Sequence, residues 1–424
     1  MINYNRLAGE LKRDFLNFSK KITKNISLPN SKFITQMMYG LLEGNKAHLS
    51  EIARSLHETT ALKYTIKRLS RNLSSFDAKD SLIENYIKEV KKQIKDDYSV
   101  IIIDNSDIAK PYTEKFEAIT TIRDGSKGEY VNGYQTIEAA VLSKDTKLPL
   151  PVYENVFSSA EDGFISENDE NIKCLKFLSK NFKKNCIRTL DRGYDANDYY
   201  RYFIKNNEKF IIRAKKNRNV IYKGKTVNIL EVANKYKGNF SIKFHDKNGK
   251  TINSKMSYIP VKLCEFPDKE LLMITVYGFG KTPMMLITNL KSSDKKAITK
   301  TVVKVYLMRW RIEEYFRFKK ETFDFEDIRT RTLKSIRNFS TILMLVVGYI
   351  GIMSYVKRDT YFFAEIKECA KRIFKISKFI YYAVGSAIEN ILSKTYTSIN
   401  KFLIPKKVQS QQLTFADYLK IDDY

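Results

Sequence analysis

Apolar residues recur at helical spacing through about residue 95, with few β-branched alternations. The pattern predicts a helical region there. Within it, Leu49 to Leu73 (LSEIARSLHETTALKYTIKRLSRNL) reads as helix, break, helix. Ser50 is placed to cap the first helix with Glu51 in its first turn, and the break falls near Glu58–Thr60. From Tyr98 the period changes. SVIIID (Ser99 to Asp104) is a short apolar run ending in a carboxylate, and Gly133 to Leu142 and Leu148 to Phe157 read as two further strands after the turn-rich DGSKG. Asn171 to Phe182 has helical periodicity. Cys186 to Asp191 is another strand ending in a carboxylate, followed by a helix (Ala196 to Asn207) and a strand (Lys209 to Lys215). Three strands followed by alternating helix and strand predict an α/β fold with a mixed sheet.

Residues 216–282 break that rhythm. GKTVNIL, NFSIKFH and LLMITVYGF alternate with Lys/Asn/Gly turns, as in a β-rich insertion. Pro283 to Leu290 reads as a return to the main sheet, and a long helix is expected from about Ser293 to beyond Lys320. The remainder is mostly helical with a polar tail. The expected division is a helical region at 1–95, a core at 96–215 and 283–345 interrupted by the insertion at 216–282, and a C-terminal helical region at 346–424. Phe339 to Tyr355 is apolar enough to suggest a membrane span. It is shorter than the ~20 residues a span needs and contains Gly348, Gly351 and Ser354, so a buried helix is expected and no membrane partner.

Charge narrows the partners. Seventy-five Lys and Arg stand against 48 Asp and Glu, a net charge of +27, in a chain that is 43% hydrophobic and 13% aromatic. Such a chain folds, and its basic surface attracts polyanions, nucleic acid first. The second helix of the 49–73 pair carries Lys63, Lys67, Arg68 and Arg71 with much of the charge on one side. It reads as a helix-turn-helix with a basic second helix, or as a plain packing hairpin. The four cysteines have no CxxC spacing, and the three histidines (His48, His57, His245) are dispersed. A zinc ribbon, a disulfide scaffold and a His-based metal site are therefore not expected. Metal chemistry would fall to carboxylates, which favour Mg²⁺ or Mn²⁺. The N-terminus shows no apolar signal-peptide core.

Asp104 and Asp191 each end an apolar strand. If those strands are neighbours, both carboxylates project from one edge and repel unless a divalent cation lies between them. The alternative is that each caps the following turn. The expected long helix adds YLMRWRIEEYFRFKK, in which Tyr306, Arg309, Glu313 and Lys320 follow at spacings of 3, 4 and 7. At about 100° per residue they fall in one stripe about 60° wide. A Tyr, an Arg, a Glu and a Lys in a row suit a phosphate-facing surface around a metal-binding carboxylate. The alternative is a solvated ion pair, Arg309 with Glu313.

The pattern Y-x2-R-x3-E-x6-K resembles the signature of the bacterial DDE transposases of the insertion-sequence-four family, and Tyr306, Arg309, Glu313 and Lys320 match it without a gap. Asp191-Arg192-Gly193-Tyr194 resembles the family's second motif and Asp104 in IIIDNSDIAKP its first. The resemblance covers roughly residues 45–345. It implies an RNase H-like core in which Asp104, Asp191 and Glu313 hold two Mg²⁺ ions, with Mn²⁺ as a substitute. One ion would activate water or a DNA 3′-hydroxyl and the other would stabilise the leaving 3′-oxygen. It also implies that Tyr306, Arg309 and Lys320 grip phosphates of the transposon end. The implied partners are double-stranded DNA, as terminal inverted repeats and target, and a second copy of the chain in a homodimer. The implied location is the bacterial cytoplasm, at the nucleoid. A nuclease or resolvase that cuts without joining, and a non-catalytic DNA-binding descendant, are the alternatives. Some relatives hold a flipped base against a Trp on the strand before the signature helix. Here the single Trp, Trp310, lies inside the signature and is expected in the core, and the preceding strand offers Met284 and Met285.

Overall fold

A computed structural model describes residues 2–403 apart from 96–97, 126, 237, 246–250, 371–378 and 396–397. The polar tail at 404–424 lies outside the described residues. Five helices come first: α1 (Tyr4–Ile22), α2 (Leu28–Gly44), α3 (Leu49–Ser55), α4 (Leu62–Ser75) and α5 (Lys79–Lys91). The side chain of Asn3 accepts from the Arg6 N–H to start α1, which buries Leu7, Leu11, Phe15, Phe18 and Ile22 along one stripe. The break between α3 and α4 falls where expected. The cap of α3 does not: His48 precedes the helix and Ser50 lies inside its first turn. The His48 ring is instead drawn to Asp327, 2.8 Å away.

The middle of the chain runs β1 (Val100–Ala109), β2 (Thr120–Arg123), β3 (Tyr130–Leu142), β4 (Pro149–Phe157), α6 (Glu167–Asn181), β5 (Ile187–Leu190), α7 (Asn197–Asn206) and β6 (Lys209–Arg213). It continues through β7 (Asn219–Tyr222), β8 (Lys225–Asn228), α8 (Ile229–Asn234), β9 (Phe240–His245), β10 (Thr251–Leu263), β11 (Phe266–Tyr277) and β12 (Met284–Thr288). All twelve strands join one sheet of order β2-β3-β1-β5-β6-β12-β11-β10-β7-β8, with β4 on β3 and β9 on β10. β1, β5 and β6 are mutually parallel at its centre, and the other pairs are antiparallel. The mixed α/β expectation therefore holds, and Pro283 to Leu290 does return to the sheet, as β12 against β6. Through β12 the strands at 216–282 extend that sheet. GKTVNIL is only half strand: the side chain of Asn228 accepts from the Leu230 N–H and starts α8.

β1 is longer than its apolar run. Asn105 to Ala109 continue to pair with Ile137 to Gly133 of β3, so Asp104 lies mid-strand. The polar residues Asn105, Ser106 and Asp107 hide that continuation from the hydropathy pattern. Gly133 is required there, because a Cβ would collide with the Ile108 carbonyl and the Ile122 side chain.

The last helices are α9 (Lys295–Leu307), α10 (Trp310–Phe323), α11 (Leu333–Val356), α12 (Tyr361–Glu368), α13 (Ile380–Leu392) and α14 (Asn400–Leu403). The expected single helix from Ser293 is thus two. The junction tightens to i→i−3 bonds: the N–H groups of Arg309, Arg311 and Ile312 donate to the carbonyls of Tyr306, Met308 and Arg309, each at 3.0 Å. The apolar stretch Phe339 to Tyr355 lies in α11, which packs on β4, α2, α4, α5 and α13 and is largely buried by them. Its glycines serve that packing. A Cβ on Gly348 would strike Tyr86 and one on Gly351 would strike Tyr381, whose hydroxyls donate to the carbonyls of Pro151 and Pro149 of β4.

Candidate active site

The parallel register of β1 and β5 ends at Ile103 opposite Leu190. The next residue is an acid in each case, Asp104 within β1 and Asp191 just past β5, so the sheet sets these two side by side. Asp191 then leads into a single 3₁₀ turn, Arg192–Tyr194. The Tyr194 hydroxyl donates to Asn105 Oδ1 at 2.5 Å, tying the second acidic segment to the first. Glu313 arrives from α10.

Arg309 occupies the centre. Its guanidinium donates to Asp104 Oδ2 at 2.6 Å and to Glu313 Oε1 at 2.8 Å. Arg309 is only 4% exposed, and its Nε has no hydrogen-bond partner among the described residues. The i,i+4 pair of Arg309 with Glu313 therefore exists, but its arginine is buried and shared with a third element. Tyr306, at the end of α9, is buried and donates its hydroxyl to Asp191 Oδ1 at 2.8 Å. The tight junction between α9 and α10 sets these side chains at different depths, which a straight-helix stripe does not describe.

The electrostatics follow from crowding. Burial pushes the Asp104 carboxyl up to about 7; Arg309 opposes the rise, while the charges of Asp191 and Glu313 add to it. Burial would also raise Asp191, yet Arg309, the Arg192 N–H and the Tyr306 hydroxyl hold it below its ordinary value. Burial works against the charge on Arg309, but Asp104 and Asp191 keep the guanidinium charged and its pKa raised.

Asp104, Asp191 and Glu313 all lie within the span of one family profile. The profile described as "Transposase DDE domain" matches residues 95–347, more than half of the chain. The chain belongs to the DDE transposase family. Among curated sequences none matches it significantly. Eight chains of solved structures do match. One is a piggyBac transposase, in a cryo-EM structure titled as a synaptic complex with hairpin DNA. It is 10% identical with a TM-score of 0.46, and the match covers 96% of this chain and 82% of that one.

DDE transposases generally use divalent metal ions. Asp104, Asp191 and Glu313 fit such an ion by donor chemistry, because all offer hard carboxylate oxygens. The fit extends to charge: the protein itself puts a cation, the Arg309 guanidinium, between two of them. The only group of three His, Cys or acidic side chains among the described residues whose ligand atoms all lie within 4.8 Å of one another is elsewhere. It is His48 with Asp324 and Asp327, at the end of α10.

In this transposase Lys320 pairs with Asp107 of β1 at 3.0 Å and with Glu326 at 2.9 Å. Asp107 thus has an ion-pair role. Lys110 donates to the carbonyls of Glu326 and Ile328, which anchors the segment after α10 rather than exposing a charge. Asp124 accepts from the Lys127 N–H and so serves a turn. Arg213, at the end of β6, acts on both Asp191 and Tyr306 by charge. Sequence reading missed it, because only the β5–β6 pairing brings it to the site. Trp310 is not in the core. It is 39% exposed and meets Phe279 edge to face at 6.4 Å between ring centroids.

In the N-terminal pair, Lys63, Lys67 and Arg71 of α4 are exposed, with Lys63 lying over the ring of Tyr64. Arg68 faces the protein instead. It donates to Gln36 of α2 and to Glu58 in the break, both at 2.7 Å.

Proposed function

We propose that the protein is a cut-and-paste DNA transposase of the insertion-sequence-four type, with an RNase H-like core. The observation that carries this reading is the gathering of Asp104 and Glu313 on one buried guanidinium beside Asp191. Carboxylates from two adjacent parallel strands and one helix thus gather around that cation, with Glu313 half-exposed.

Asp104, Asp191 and Glu313 would hold the Mg²⁺ ions, with Mn²⁺ as a substitute. Bound there, the metal supplies Lewis-acid stabilisation of an in-line displacement at phosphorus and a nucleophile at neutral pH. The chain's own residues prepare that site. Tyr306 keeps Asp191 oriented and ionised. Arg309 neutralises the cluster while the substrate is away. Lys320 stands at the edge of the site with its charge lent to Asp107 and Glu326, and a phosphate would compete for it. The substrate in this reading is double-stranded DNA, the inverted terminal repeats and then the target, held by a homodimer in the bacterial cytoplasm at the nucleoid. The exposed cations Lys63, Lys67 and Arg71 of α4 support end recognition by the N-terminal helices, and the net charge of +27 supports a polyanionic partner throughout.

A strand-transfer assay tests the proposal. With a DNA carrying the element's end and a free 3′-hydroxyl, Mg²⁺ and a target plasmid, the account expects a covalently joined product. Cutting without joining would identify an RNase H-like nuclease or resolvase instead. Absence of both would leave a DNA-binding descendant.

A further inference from the structure

Between α4 and the segment that leads from α10 into α11 lies a cleft of about 520 Å³. One wall is α4, with Ser70 and Ser74 one helical turn apart and both exposed. The other wall is the stretch Arg329 to Thr332. Lys67 and Arg71 are exposed on α4 beside the serines.

No carboxylate is among the described residues that line this cleft. The Thr330 hydroxyl is buried and has no hydrogen-bond partner among the described residues. Arg331 is exposed, and its guanidinium has no ion pair or hydrogen bond among them, while its carbonyl accepts from the Glu117 N–H at 3.0 Å and fixes the backbone to the core. Of the acids beside this segment, Asp327 is already matched by His48 at 2.8 Å and Arg329 at 3.1 Å, and Glu117 accepts from the Leu333 N–H at 2.8 Å. Hydroxyls and guanidinia converging on a groove form the donor set that phosphodiester oxygens accept. A carboxylate-bearing protein partner would need fewer hydroxyls and would leave Arg331 as the main match.

We propose that this cleft seats the sugar-phosphate backbone of duplex DNA, with Arg331 as its principal phosphate contact. The inference rests on the transposase reading and adds a place to it. The cleft joins the N-terminal helix pair to the residues that directly follow α10, the helix carrying Glu313. DNA gripped here is held in fixed register to the cutting site whatever its sequence.

The test is binding of the full-length protein to a labelled duplex over a range of salt concentrations. Variants are Arg331→Ala and the pair Ser70→Ala with Ser74→Ala, and thermal melts confirm that each is folded. Arg331→Ala is expected to weaken binding roughly five- to tenfold, equally for unrelated sequences, and to make the log-log salt slope shallower by about 1. Arg331→Lys should recover much of the loss. Wild-type protein that binds DNA steeply with salt, alongside an Arg331→Ala variant of equal affinity and slope, would overturn the cleft and leave the transposase reading intact. Wild-type protein with no salt-dependent DNA binding would overturn both.

Discussion

Arg309 donates to Asp104 at 2.6 Å across a sequence separation of 205 residues, joining the start of α10 to the middle of β1. A buried cation thus holds together acids that would otherwise repel, and its removal has two consequences. Arg309→Ala leaves uncompensated buried carboxylates, and breaking such a pair costs about 3–5 kcal/mol. The variant should therefore melt well below the wild type. Mg²⁺ should then raise its melting temperature more than it raises that of the wild type, because the ion replaces the missing charge. Melts with and without Mg²⁺ check this. Equal Mg²⁺ effects on the two proteins would mean that the guanidinium does not share the metal's place.

Tyr306 acts through Asp191 rather than on the substrate. Tyr306→Phe keeps the buried ring and removes only the hydroxyl that donates to Asp191 at 2.8 Å. A hydrogen bond to a charged group is worth about 1.5–3 kcal/mol, so cleavage should slow by about ten- to a hundredfold. The melting temperature should fall, because a buried carboxylate loses a hydrogen bond, while duplex affinity should not change. Loss of DNA binding in a folded variant would instead make Tyr306 a direct phosphate contact.

A second buried charge cluster lies behind the site. Lys319 of α10 donates to Glu138 of β3 at 2.9 Å and to Glu154 of β4 at 2.7 Å. Lys319 faces two carboxylates and Lys79 acts on Glu154 by charge, yet burial together with the Glu138 charge pushes Glu154 up to about 8, above its ordinary 4.5. The folded protein therefore keeps a proton that the unfolded chain releases. The stability gained from it is whole below about pH 4.5, shrinks as pH rises, and is lost once pH passes about 8. The melting temperature should fall between pH 6 and 9, and Glu154→Gln, which cannot ionise, should flatten that fall. An unchanged slope in the variant would remove Glu154 from the explanation.

Much of this site could be read in the sequence, because the acids stand where apolar runs stop. SVIIID and CIRTLD announce two strands and two carboxylates, and the signature spacing announces the third acid. The pattern carried no information on the interruption at Met308. A 3₁₀ turn needs no Gly or Pro, and the apolar spacing runs through it. Nor could it say that Arg309 and Tyr306 turn inward to the acids, since both residue types suit solvent and phosphate equally well. Arg213 was missed because the order β5-β6-β12 that brings it to the site is a long-range fact. The His48 contact with Asp327 was hidden in the same way.

The central claim is that Asp104, Asp191 and Glu313 are the metal-holding acids of a DNA-cutting enzyme. Glu313→Gln tests it with the least disturbance, because this side chain is half-exposed and the amide oxygen can still accept from Arg309. Cleavage of end DNA in Mg²⁺ is the measurement, with duplex binding measured in parallel. The account predicts wild-type binding and no cleaved strand. Normal cleavage by folded Glu313→Gln protein would contradict it.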